Sequence, residues 1–188
     1  MRIISGALKG RIINPPNNLR VRPTTDFAKE NIFNVLGNLV DFEGLEVLDL
    51  FAGTGSISYE FASRGAANVT SVEVNSVHYD FIRRTAAALR LANIHPVRAN
   101  VFLYLKSCAK RFDVIFSDAP YDLNGSEEIV TLVFSRGLLA PGGYLVFEHP
   151  KGADYSTHPD FVERRSYGSV QFSIFRSSPD GGSGDLDK

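Results

Sequence analysis

At 188 residues, with 44% hydrophobic and 22% charged residues, the chain fits one globular domain with a sizeable core, and its composition excludes a disordered or fibrous protein. A single cysteine, Cys108, excludes an internal disulfide; no Cys/His cluster has zinc-ligand spacing and no apolar run reaches membrane-span length, so the expectation is a cytoplasmic protein with no metal and no membrane association. The net charge of −1 hides an asymmetry, because Arg2, Lys9, Arg11, Arg20, Arg22 and Lys29 face Asp26 alone within residues 1–29; such a basic arm on an acidic body suits a phosphate backbone.

In chain order, the start Met1-Arg2-Ile3-Ile4-Ser5-Gly6 is too polar for a signal peptide. Residues 1–23 are broken by Gly6, Gly10, Pro15, Pro16 and Pro23 and read as short strands and turns. Thr24-Thr25-Asp26 supplies a helix N-cap, followed by Ile32, Val35, Leu36 and Leu39 at helical spacing. From Glu46 the pattern becomes short apolar runs alternating with helical stretches. The runs Val47–Phe51, Val69–Glu73, Pro96–Ala99, Val114–Ser117 and Tyr144–Glu148 predict strands, with helices near 56–64, 77–91, 101–107 and 126–136. Strands apolar on both faces, alternating with helices, predict an α/β fold with a doubly wound, mostly parallel sheet. Phe161–Tyr167 and Val170–Phe175 flank Gly168-Ser169 as a hairpin, which turns the last strand antiparallel to its neighbours. The expected organisation is a basic extension and helix over 1–40, a main domain over 41–176, and a polar, glycine-rich tail over 177–188.

Two stretches carry chemistry. Asp49-Leu50-Phe51-Ala52-Gly53-Thr54-Gly55 leaves the first strand through a glycine turn into a helix, where backbone can approach a ligand closely. The third glycine of a dinucleotide fingerprint is replaced by Ser58, and Asp49 would repel a pyrophosphate but attract the ammonium and sulfonium of S-adenosylmethionine. Glu73, ending the next strand, stands where a carboxylate accepts from ribose hydroxyls, and Asn100 follows the third strand where it can meet the adenine amine.

Asp118-Ala119-Pro120-Tyr121 ends the fourth strand, beside the first in the usual doubly wound order. The lone pair of a nucleobase amine is delocalised into its ring. An Asp118 oxygen and the Ala119 carbonyl can accept its two N–H groups and aim the lone pair at a methyl, with Tyr121 stacked on the base and Pro120 holding Ala119 extended. Such a pocket demands an unpaired or flipped nucleotide.

These residues resemble the RsmD-type bacterial 16S ribosomal RNA guanine-N2 methyltransferases over residues 1–176. The resemblance is carried by Met1-Arg2-Ile3-Ile4-Ser5-Gly6 with Lys9-Gly10-Arg11, Arg22-Pro23-Thr24-Thr25-Asp26 with Lys29-Glu30 and Phe33-Asn34, and the Asp49–Gly55 loop. Ser63-Arg64-Gly65-Ala66, Leu138-Leu139-Ala140-Pro141-Gly142-Gly143 and Tyr167-Gly168 match as well. The resemblance implies a seven-stranded Rossmann-like class I methyltransferase, S-adenosylmethionine as donor, and N2 of one guanine in small-subunit ribosomal RNA, free or in an assembling particle, as acceptor. It implies that Asp49, Phe51, Gly53, Gly55, Glu73, Asn100 and Thr24 shape the donor site and that Asp118, Ala119, Pro120 and Tyr121 handle the base; from the charge of the basic arm, Arg2, Lys9, Arg11, Arg20 and Arg22 are expected to meet RNA, and a monomer is expected. Ala119 stands where the family usually has proline, and Asn100 where aspartate is common. The residues alone leave open methylation of adenine N6 in DNA, of a protein glutamine, or a non-catalytic RNA-binding module, and they disfavour a nicotinamide oxidoreductase.

Overall fold

The computed structural model describes residues 1–16, 19, 26–121, 123 and 125–180. Its elements follow the order α1 (Asp26–Gly37), β1 (Glu46–Leu50), α2 (Ser56–Ser63), β2 (Asn68–Glu73), α3 (Ser76–Ala88), β3 (Ile94–Arg98), α4 (Val101–Ser107), β4 (Phe112–Asp118), α5 (Glu128–Ser135), β5 (Leu139–His149), β6 (Phe161–Tyr167) and β7 (Val170–Arg176). The seven strands form one sheet in the order β3-β2-β1-β4-β5-β7-β6. Strands β1 to β5 run parallel, while β7 lies antiparallel between β5 and β6. The reversal of strand order falls between β1 and β4, which is where open α/β sheets form their ligand crevice.

Burial on both faces explains the unbroken apolar runs. Val47, Val69, Val114, Phe116 and Val146 pack with α1, α2 and α3 on one side of the sheet. Leu48, Leu50, Val72, Ile115 and Phe147 pack with α4 and α5 on the other. Alternate residues of a strand point to opposite faces, so each run feeds both cores. Strand β3 begins at Ile94, two residues before Pro96. As an edge strand it pairs only with β2, so a proline lacking its N–H is tolerated there.

The segment before α1 docks onto α2. Arg2 bridges to Ile12, and Ile3 and Ile13 join the same core as α1 and the sheet. Glu60, fully buried, accepts from the backbone amides of Ile4 at 2.8 Å and Ser5 at 3.0 Å. Gly6 adopts φ +83° against the carbonyl of Ser63, and a Cβ built there would lie 1.8 Å from that oxygen. The site is closed to any side chain. Lys29 of α1, 1% exposed, donates to the Arg2 carbonyl at 2.6 Å and to Ser56 Oγ at 3.1 Å, with Glu60 3.8 Å away. Burial lowers its pKa against the opposing pull of Glu60 and Asp26. At the other end Ser177 donates from its amide to Gly143 at 2.9 Å and from its hydroxyl to Ala140 at 2.6 Å. Residues 181–188 of the expected tail lie outside the described residues.

Candidate active site

The glycine turn leaves β1 with Phe51 at φ 58°, Gly53 at 55° and Gly55 at 84°. Positive φ at Phe51, a side chain with a Cβ, is uncommon and is held here by the loop around it. The Ala52 amide donates to Val72 of β2 at 3.0 Å, and the Gly55 amide donates to Ala52 at 2.7 Å. A Cβ on Gly55 would meet the Tyr59 ring at 2.8 Å, so glycine is needed there for space as well as for backbone angle.

Asp49 lies near the end of β1, enclosed by protein. It shares the face of Val47, which points beneath α2, and only 1% of it is exposed. Its Oδ2 accepts from Ser58 Oγ at 2.5 Å, and Ser58 Oγ lies 2.7 Å from Ser71 Oγ. Burial, and secondarily the charges of Asp118 and Glu73, raise its pKa to about 7 against the Ser58 hydrogen bond. Its carboxylate ties the end of β1 to the first turn of α2.

Glu73 ends β2 at the rim of the turn, 7% exposed. Its Oε2 accepts from the Gly53 amide at 2.8 Å and its Oε1 from the Asn75 amide at 2.7 Å. Asn100 is the exposed N-cap of α4, and its side-chain oxygen accepts from the Leu103 amide at 3.2 Å. The acceptor expected to meet an adenine amine therefore already serves the helix.

Leu50 pairs with Ser117, so β1 and β4 leave the sheet side by side. Neighbouring strands stand about 4.8 Å apart, which brings the glycine turn and the Asp118-Ala119-Pro120-Tyr121 corner to one crevice. Asp118 is half-buried, Ala119 buried at 4%, Pro120 exposed and Tyr121 half-buried. The corner is closed by a turn in which the Leu123 amide donates to the Pro120 carbonyl at 2.9 Å. Tyr121 Oη donates to Oε1 of Glu148 at 2.9 Å, and Glu148 pairs with Asp118 across β4 and β5.

Sequence reasoning gave no supporting role in the site to Glu148, Ser58, Ser71, Lys29 or Glu60. Glu148 closes an apolar run and carries no motif; its importance comes from lateral register. A signal did exist for Ser58, because it stands one turn into the helix that caps the strand bearing Asp49. Arg2, Lys9 and Arg11 are exposed on the docked arm, whereas Arg20, Arg22 and Thr24 lie outside the described residues. Among the described residues, no cluster of His, Cys, Asp or Glu is arranged to hold a metal, and no helix is long and apolar enough to cross a membrane.

Comparison with known proteins places this crevice in context. A family model described as "Conserved hypothetical protein 95" matches residues 1–176. Ribosomal RNA small subunit methyltransferase D of Buchnera aphidicola subsp. Baizongia pistaciae is 30% identical over 148 residues, spanning 79% of this chain and 75% of that one. The protein of the same name from Escherichia coli K12 is 29% identical over 188 residues, spanning 96% and 92%. The solved structure of yhhF, a methyltransferase candidate from Escherichia coli, superposes with a TM-score of 0.83 at 26% identity, covering 95% of this chain and 98% of that one.

Proposed function

The chain belongs to the RsmD-type methyltransferase family, and from that premise we propose that it uses S-adenosylmethionine to methylate the N2 amine of a guanine in small-subunit ribosomal RNA. The sheet is a Rossmann-like class I methyltransferase fold. The observation that carries the reading is the pairing of Leu50 with Ser117, which sets the glycine turn beside the Asp118 corner.

S-adenosylmethionine supplies a methyl group on a cationic sulfur, open to displacement by a nitrogen lone pair. The residues present fit that ligand. Gly53 and Gly55 keep side chains out of the turn, and the Glu73 carboxylate stands at its rim as an acceptor for ribose hydroxyls. Asn100 flanks the same end of the sheet at the start of α4.

On the acceptor side, Asp118 and the Ala119 carbonyl take the two amine hydrogens, which turns the nitrogen lone pair out of the ring plane toward the donor. The N–C bond would form as the S–C bond of the donor breaks and its electron pair stays on the sulfur, and Asp118 would receive the proton that the nitrogen must shed. Tyr121 packs on the base, its hydroxyl held by Glu148. Ala119 offers the same backbone carbonyl that a proline would. The proposed partner is ribosomal RNA, free or in the assembling small subunit, with the protein acting as a monomer.

Mass analysis of ribosomal RNA nucleosides from cells with and without the protein tests the reading. The expected result is loss of N2-methylguanosine from small-subunit RNA in the deletion strain and its return when the gene is restored. Loss of N6-methyladenosine instead, or an unchanged nucleoside profile, contradicts it.

A further inference from the structure

We propose that Glu148 reads the Watson–Crick edge of the acceptor base and selects guanine over purines whose N1 carries no proton; this deepens the guanine-N2 reading and rests on it. Glu148 ends β5 in register with Asp118. Tyr144 and Val146 of β5 pack in the same core as Val114 and Phe116 of β4. By strand alternation, Glu148 and Asp118 therefore stand on that one face, as neighbours at the mouth of the sheet.

Glu148 is 5% exposed, and its Oε1 accepts from Tyr121 Oη at 2.9 Å. The ring assigned to stack on the base and this carboxylate thus form one unit. A carboxylate set so deeply is costly unless donors face it, and it offers lone pairs only. Guanine brings suitable donors, because its N1–H and its 2-amine sit on adjacent ring atoms. Two donors side by side require two acceptors side by side, and adjacent strands about 4.8 Å apart supply them. Asp118 meets the amine and Glu148 meets N1–H.

The amine alone does not identify the base. 2,6-Diaminopurine carries the same 2-amine, but its N1 is a bare lone pair, which repels a carboxylate. Adenine has the same bare N1 beside its 6-amine, so Glu148 opposes methylation there as well. Reading a flipped base along this edge is how enzymes acting on bases discriminate among them.

The test compares wild type with Glu148→Gln on small-subunit RNA rebuilt by splinted ligation, with guanosine or 2,6-diaminopurine riboside at the nucleotide mapped by mass analysis. Glutamine keeps a carbonyl for Tyr121 and adds an amide donor for a bare N1. Wild type is expected to prefer guanosine by roughly 100-fold in kcat/KM, because a site that accepts an N–H from its substrate rejects the analogue that presents a lone pair there. In Glu148→Gln that ratio is expected to fall by about tenfold or more, with absolute turnover of the diaminopurine RNA rising. Calorimetry with S-adenosylmethionine shows whether the variant is folded, and Glu148→Asp provides a second carboxylate variant expected to retain the guanosine preference. An unchanged ratio in Glu148→Gln, or equal use of both RNAs by wild type, overturns the proposal. Absence of any N2 methylation of the guanosine RNA by wild type is a separate result, which overturns the guanine-N2 reading itself.

Discussion

The carboxylate of Glu73 accepts a hydrogen bond from the Gly53 amide at 2.8 Å, so the end of β2 is tied directly to the turn that leaves β1. One side chain thereby fixes the loop's backbone and offers an acceptor at its rim. Truncating it removes both contributions. Glu73→Ala is expected to weaken S-adenosylmethionine binding by about 1.5–3 kcal/mol, the worth of charged hydrogen bonds in a buried setting, while the fold persists. Calorimetric titration of the variant checks this, and an unchanged affinity would exclude Glu73 from the donor site.

The two halves of the crevice should separate under mutation. Asp118 stands at the acceptor corner, so Asp118→Ala is expected to lower single-turnover methyl transfer by roughly 100- to 1,000-fold, the usual cost of removing one group aimed at the reacting centre. Donor affinity should change little, because the contacts to the glycine turn come from Glu73 and Val72. Rapid-quench transfer of labelled methyl, run beside calorimetry, distinguishes the two effects. Wild-type turnover in the variant removes the proposed role.

Much of the architecture was legible in the chain because its physics is local. The apolar runs marked β1, β2, β4 and β5, the helical spacing marked α1, and Gly168-Ser169 marked the final hairpin. Side-chain partners were less legible. Asp49 was placed correctly at a strand end, yet its alternation with Val47 turns it under α2 toward Ser58, a consequence of how the helix crosses the sheet. Glu148 gains its meaning from pairing with Asp118 and Tyr121, 30 and 27 residues away in sequence. Register of that kind is set by the whole sheet and leaves no mark in a short window.

The buried Asp49 makes stability depend on pH in a definite direction. Its pKa is raised by burial from 3.8 to about 7, so the folded state holds a proton that the unfolded chain has already released. A raised acid contributes its full stabilisation below the unfolded pKa and loses it as pH climbs through the folded one. Wild type should therefore lose stability relative to Asp49→Asn between about pH 4 and pH 7, by an amount on the order of a few kcal/mol, and the difference should level off above that window. Urea denaturation of both proteins across pH 4–9 measures it. A pH-independent difference would mean that Asp49 is ionised throughout.

Gly6 and Gly10 provide an internal control for docking of the N-terminal arm. Both have φ near +82°, but a Cβ at Gly6 would strike the Ser63 carbonyl whereas Gly10 has nothing within 4 Å. Gly10→Ala should cost about 1 kcal/mol, the ordinary penalty of a left-handed alanine. Gly6→Ala should cost about 3 kcal/mol or more, since strain and steric overlap add. Hydrogen exchange should then rise at the Ile4, Ser5 and Ala7 amides, which bond Glu60 and Ser63 in the docked arm. Equal losses in the two variants would show that the contact with α2 carries no weight.

The exposed cations on that arm lead to a prediction about salt. Lys9 and Arg11 are solvent-facing on a segment anchored by Glu60 and Lys29, so they can meet a phosphate backbone without disturbing the core. Each phosphate neutralised releases counterions, so affinity for RNA falls with salt in proportion to the contacts made. Lys9→Ala combined with Arg11→Ala should reduce the slope of log affinity against log salt by about 1.5 for single-stranded RNA, with donor binding unchanged. Filter binding of a small-subunit RNA fragment over a range of potassium chloride concentrations provides both slopes. If they coincide, the arm does not touch the RNA backbone, and the positive charge near the amino terminus serves only as a solvated surface.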